Sequence, residues 1–256
     1  MTTTLRELQR HAVDSIKRRA LTMSLGSPGA QKQILTEYLW TEEGAESEAL
    51  QRVTEAAPEW LDKLVTRQLD DERRHAALLR TRLVELGVDP KTLRPPPSLV
   101  RVKLWWLERT VAPFMQAFAA GPIVVMLAIA AQLEATGVRM FSRHLAVLEQ
   151  HAADDPTTAV IRSILGDEKR HAKSCAAAVE RLVRDTERAT LADLRERVAR
   201  IDRAFGVTIS LGFLALVASH AVIDRARSHR MAGRTPANHR MAGRTPANHR
   251  MAGRTP

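Results

Sequence analysis

The chain has 256 residues, a net charge of +10 and a single cysteine, Cys175. That length suffices for one sizeable core, and one cysteine excludes both an intramolecular disulfide and an internal four-cysteine iron site. Half of the excess charge comes from Arg234, Arg240, Arg244, Arg250 and Arg254 in the acid-free segment 231–256, so the other 230 residues carry only +5 and give no ground for specific nucleic-acid binding. Aromatic residues make up 4% of the chain, while Ala, Leu, Arg and Glu are abundant, which favours an all-α protein.

In chain order, residues 4–23 read as an amphipathic helix, and Ser24-Leu-Gly-Ser-Pro-Gly29 breaks it. We take 1–29 as an N-terminal helical arm for packing or dimerisation. Helix A is expected over 30–56, with an inward face running through Ile34, Glu37, Thr41, Gly44, Ala45 and Glu48. Tyr38 follows Glu37 at once, and adjacent helix positions lie about 100° apart, so Tyr38 is expected to point away from the partners of Glu37. Pro58 opens helix B, which ends near residue 86 before Gly87 and Pro90. Its stripe is Leu61, Val65, Gln68, Glu72, His75, Leu79 and Leu83: polar groups set inside an apolar face.

Residues 87–97 are a connector, and 98–120 form a crossover arm. A helix unbroken from 98 to 149 would be about 78 Å long, and Pro113 and Gly121-Pro122 argue against it. Helix C is expected over 122–149, with Glu134 among the small residues Ala130, Ala131 and Gly137. Those small residues suggest either close helix contact or a void for oxygen or substrate. Val111–Leu133 is apolar on every side, which suits a core. His144 reads as a core histidine or a neighbour of the site. Asp154-Asp155-Pro156 opens helix D, which runs to about 186 with Ile161, Ile164, Leu165, Glu168, His171, Cys175, Val179 and Leu182 inward. Cys175 reads as a small core residue.

Segment 187–230 continues as helix. Its stretch 204–223 has no Asp, Glu, Lys or Arg over 20 residues, long enough for a membrane span yet interrupted by Thr208, Ser210, Ser219 and His220. A fifth helix packed on the bundle or on a second copy is the preferred expectation, and a membrane contact the alternative. Residues 231–256 repeat MAGRTPANHR and read as a disordered basic tail. The first residues, MTTTLRELQRHAV, lack the apolar core of a signal peptide, so the expected location is cytoplasmic, with membrane association through 204–223 as the variant.

One six-residue string occurs twice: Asp71-Glu72-Arg73-Arg74-His75-Ala76 and Asp167-Glu168-Lys169-Arg170-His171-Ala172. In each, Glu-x-x-His puts a carboxylate and an imidazole on one helix face. Each also has an upstream glutamate at a similar distance, with Glu37 35 residues before Glu72 and Glu134 34 residues before Glu168. Two antiparallel hairpins packed face to face would gather four Glu and two His. Four buried carboxylates carry −4, and burying even one uncompensated charge costs several kcal/mol. Two divalent cations cancel that charge, so the expectation is a two-metal site.

The pattern E-x33-D-E-R-R-H followed by E-x32-D-E-K-R-H resembles the ferritin-like di-iron carboxylate superfamily, over roughly residues 30–186. The flanking Asp and Arg look most like its oxygen-activating monooxygenases and desaturases. The resemblance implies an antiparallel four-helix bundle with a long B–C crossover, plus extra N- and C-terminal helices. It implies two iron ions, or a manganese–iron pair. Glu37 and His75 would hold one ion and Glu134 and His171 the other, with Glu72 and Glu168 bridging. Asp71 and Asp167 would fix the imidazoles, and Arg74 and Arg170 would neutralise those aspartates. The chain is much shorter than the large monooxygenase subunits.

Three functions compete. The first is a di-iron oxidoreductase activating dioxygen to hydroxylate or desaturate an apolar substrate with electrons from an unspecified donor. The second is a ferroxidase or rubrerythrin-like peroxide reductase. The third is a non-enzymatic metal-binding bundle. An apolar cavity beside the metals would favour the first, and a narrow polar channel the second.

Overall fold

The apolar periodicity of the sequence is realised as helices in the computed structural model, which describes residues 3–43, 57–89, 91 and 98–232. Among the described residues there are seven α-helices and no strand: α1 (Thr3–Ser24), α2 (Pro28–Glu43), α3 (Glu59–Glu85), α4 (Ser98–Val111), α5 (Pro122–His151), α6 (Pro156–Leu182) and α7 (Arg188–Ala232). Short 3₁₀ turns at Ala112–Phe114 and Asp185–Glu187 follow α4 and precede α7. The expected breaks at Pro113 and Gly121-Pro122 therefore occur. Gly121 adopts φ 77°, a conformation costly to any residue with a Cβ, and Pro122 begins α5.

Helix A was expected over 30–56: α2 spans Pro28–Glu43, and the later positions Gly44, Ala45 and Glu48 lie outside the described residues. The expected helix over 187–230, including its stretch 204–223, is α7, 45 residues and about 68 Å long. The basic tail 231–256 lies beyond the described side chains.

Four helices run antiparallel to their neighbours. In the α2–α3 pair, Lys32 lies near Gly87, just past the end of α3, and Glu42 meets His75. The turn Ala152–Asp155 joins α5 to α6 so that Glu149 meets Arg162. Across the pairs, α3 and α6 are in register at Gln68 with Cys175, His75 with Asp167, and Arg82 with Thr157. α1 runs alongside α7 in the same direction, from Arg6 with Glu196 to Ser27 with Asp224.

The stripes predicted for helices B and D are buried in α3 and α6, except that Leu182 is partly exposed. They feed two apolar clusters stacked along the bundle. One holds Leu61, Val65 and Leu69 with Val124, Leu127 and Val179. The other holds Ile34, Leu35 and Leu39 with Leu79, Phe141 and Ile161. Between them lies a polar layer, at Glu72 and His75 of α3, Glu134 of α5, and Glu168 and His171 of α6. Most of the apolar stretch Val111–Leu133 is buried in the first cluster, as a core element would be.

α5 and α7 both have the length and composition to cross a membrane. Half of the apolar window of α5 is buried but only 11% of that of α7, which leaves Leu211, Val222 and Ile223 exposed. Ser210 and Val217, on its other side, are fully buried.

The start of α6 is fixed by charge. Asp155 caps it, accepting from the Thr157 amide at 2.7 Å, and its carboxylate also takes Arg82 Nη2 at 3.0 Å, tying α3 to the α5–α6 turn. Burial pushes the Asp155 carboxyl up, but the bonds from Thr157 and the charge of Arg82 outweigh burial and hold it below the usual range. A group depressed on folding stabilises above its unfolded value and loses that contribution as pH falls through the folded one. Asp155→Ala should therefore destabilise the protein by about 1–2 kcal/mol at pH 7. In urea titrations at stepped pH, the difference from the parent should persist to about pH 4 and shrink only below that.

Candidate metal centre

The polar layer brings together two overlapping groups. Glu42, Glu72, His75 and Glu168 form one, and Glu72, Glu134, Glu168 and His171 the other; in each, one ligand-type atom per residue lies within 4.8 Å of all the rest. Every member is buried. Glu72 and Glu168 belong to both groups, the position expected of bridging carboxylates. The cluster is thus drawn from α2, α3, α5 and α6.

Five of the six predicted ligands converge: Glu72, His75, Glu134, Glu168 and His171. The sixth does not. Glu37 is half-buried, accepts from Gln33 Nε2 at 3.3 Å and feels the charge of Lys17 on α1; burial raises its pKa. Glu42 occupies the expected place, with an oxygen 3.0 Å from His75 Nδ1. Five residues along a helix turn the side chain by about 140°, so only one of the two can face the cluster. The similar 35- and 34-residue spacings misled because the two hairpins are not equivalent in length: the glutamate that meets the cluster is 30 residues before Glu72 in one and 34 before Glu168 in the other. The usable signal was the stripe Ile34, Tyr38, Glu42 with Leu35 and Leu39, a carboxylate embedded in an apolar face, as in helix B.

Tyr38 lies on this stripe, on a different face from Glu37. It is buried, with its ring edge-on to Phe141 (centroids 5.0 Å apart) and to His144 (5.6 Å). Burial raises the phenol's pKa well above its usual value. His144 is buried outside both groups, with Nδ1 unpartnered and its pKa lowered to about 4 by burial. It is a core histidine.

The two histidines are oriented alike. His75 Nδ1 lies 3.8 Å from both Glu72 and Glu168, and His171 Nδ1 lies 3.2 Å from Glu72 and 3.8 Å from Glu134 and Glu168. Each Nε2 faces an aspartate, but that of the other motif: His75 Nε2 to Asp167 at 3.0 Å, and His171 Nε2 to Asp71 at 3.2 Å. A proton held at Nε2 leaves the Nδ1 lone pair for a cation inside the cluster. Arg74 pairs with Asp71 at 2.9 Å and with Asp167, and Arg170 with Asp71 at 3.3 Å and with Asp167. The contacts between imidazoles and aspartates are thus crossed between the motifs, while each arginine pairs with both aspartates.

Electrostatics within the layer favour a cation. Burial lowers the His75 pKa, but Glu42 and Glu72 more than reverse this and raise it to about 10. Burial, then the charge of Glu72, raises Glu168 to about 7, and Glu42 goes well above its usual value, mainly through burial. Glu72 is held at about 2: burial raises it, and bonds from His171 and His75 overcome that. Without metal, protons supply the compensating charge. Both oxygens of Glu72, Oε1 of Glu168 and Nδ1 of His171 are buried without a well-aligned hydrogen bond, a costly state that cation ligation would relieve.

Two further residues shape the layer. Gln68 Nε2 donates to Glu134 Oε1, while Gln68 Oε1 accepts from Cys175 Sγ at 3.4 Å. The sequence placed Gln68 on the buried stripe, but only the fold reveals its partner. Gly137 makes room for Glu168: a Cβ there would lie 2.3 Å from Glu168 Oε2. Of the two readings of this small residue, close contact rather than a void is the one realised at Gly137, against a carboxylate.

No family model matches the chain, and no curated protein matches it significantly.

Gly137→Ala should keep the helices, because the far end of Glu168 can swing aside, but should displace that carboxylate. The expected result is unchanged helical circular dichroism with metal uptake at least halved by elemental analysis.

Proposed function

We propose that the chain is a ferritin-like di-metal oxidoreductase that takes a small oxidant, dioxygen or peroxide, at a carboxylate-bridged iron pair. The observation carrying this reading is the membership of Glu72 and Glu168 in both ligand groups, with an imidazole Nδ1 aimed into each. Glu42 and His75 would hold one ion, Glu134 and His171 the other, and Glu72 and Glu168 both. Manganese–iron pairs accept the same donors. When bound, a ferrous pair supplies two electrons to the oxidant.

The protein's own contribution is positional. Asp71 and Asp167 hold the outer imidazole protons, Arg74 and Arg170 balance those aspartates, and Gln68 orients Glu134. The two apolar clusters above and below the layer exclude water.

The lining of the neighbouring cavities bears on substrate size. The pocket that reaches the cluster, about 330 Å³, is bounded mainly by charged and polar side chains, among them Arg67, Gln68 and Ser174. The roomier one, about 630 Å³, lies between α5, α6 and α7 and includes no cluster residue. An entry of this small size suits a small oxidant, as in peroxide reduction, better than hydroxylation or desaturation of a long apolar substrate.

Anaerobic ferrous loading should give two irons per chain by elemental analysis, with steady peroxide or oxygen consumption once a reductant is supplied. At a free metal concentration 100 times Kd, each ion bound should stabilise the fold by about 2.7 kcal/mol. Glu72→Ala should lose at least one ion per chain. A variant retaining both with parental affinity would refute the bridging role, and iron-loaded protein that consumes neither oxidant would leave a binding bundle.

A further inference from the structure

The two halves of the polar layer differ in how they meet the two cavities. His75 is fully buried and lines neither cavity. The His171 half has a pocket of about 330 Å³ above it, whose lining includes His171 itself and Gln68, the partner of Glu134. Both are under 5% exposed and belong to the pocket's inner end, while Lys63 and Arg67 are exposed at its mouth.

The charge of this mouth is not evenly cancelled. Lys63 pairs with Glu59 at 2.7 Å. Arg170 pairs with Asp71 and Asp167. Asp71 also lines the pocket, but it is engaged by His171, Arg74 and Arg170. Among the described residues Arg67 alone of these cations has no ion pair, so its guanidinium supplies the uncompensated charge over the route to His171. A positive mouth on a confined pocket concentrates anions and repels free cations.

We infer that this pocket is an anion-selective entry to the Glu134–His171 half of the site, with Arg67 as the selectivity residue and small monoanions as its ligand class. The inference rests on the di-metal reading and refines it. Exogenous ligands arrive at one half of the pair, and hydrated ferrous ions are disfavoured as a substrate entering by this route, which separates oxidant chemistry from ferroxidase chemistry.

Azide, a small monoanion, and nitric oxide, of similar size but uncharged, test it on iron-loaded full-length protein, with binding followed by optical titration and metal content measured in parallel. Arg67→Glu should weaken azide about fivefold and Arg67→Gln about twofold at low ionic strength, with the differences shrinking at 0.5 M salt as the charge is screened. Nitric oxide affinity should not change in either variant. Arg73→Glu, on the same helix but outside the pocket, should leave azide binding at the parental value. Parental azide affinity in both Arg67 variants at full metal content would overturn the entry while leaving the metal reading intact. So would an equal loss of azide in Arg73→Glu. A parent chain that takes up no metal would overturn both.

Discussion

Four carboxylates share a layer of the interior where water cannot reach them, and the rest of the structure answers that constraint. Like charges this close in a poorly polarisable medium repel strongly, and each has lost its hydration. The response is built outward in shells of alternating sign. The carboxylates meet imidazoles, the imidazoles meet Asp71 and Asp167, and the aspartates meet Arg74 and Arg170 at the surface. Apolar clusters close the layer along the bundle axis, so the polar groups have nowhere else to turn. The centre of the layer could hold a cation, a component that the polypeptide itself cannot provide.

Much of this was legible in the sequence because the repeated hexapeptide carries its own geometry. Glu-x-x-His fixes a shared face, and a polar pair within an apolar stripe can be satisfied only inside. Glu72, His75, Glu168 and His171, the buried stripes of α3 and α6, and the breaks around residues 113 and 121 followed from such local rules, while Glu134 came from spacing. Glu37 failed because it was selected by distance along the chain, which depends on connector length, rather than by helical face. Glu42 shares its face with Ile34, Tyr38 and Leu35 and could have been chosen on the criterion that served helix B.

Other features were beyond a one-dimensional reading. That Asp71 serves His171 rather than its own neighbour His75 is a matter of how two helices cross, not of spacing within either. Gln68 looked like a polar intruder in a stripe until Glu134 came to rest against it. Gly137 invited interpretation as empty space, yet the room it leaves belongs to Glu168.

The crossed aspartates bind the two halves of the molecule into a single electrostatic unit. Each repeat aims its imidazole by borrowing a carboxylate from the other, so neither helical hairpin contains a complete set of orienting contacts. Although the motif is duplicated, it confers no redundancy: damage to one copy is transmitted to its twin. The fold that looks like two modules in sequence must mature, and fail, as one.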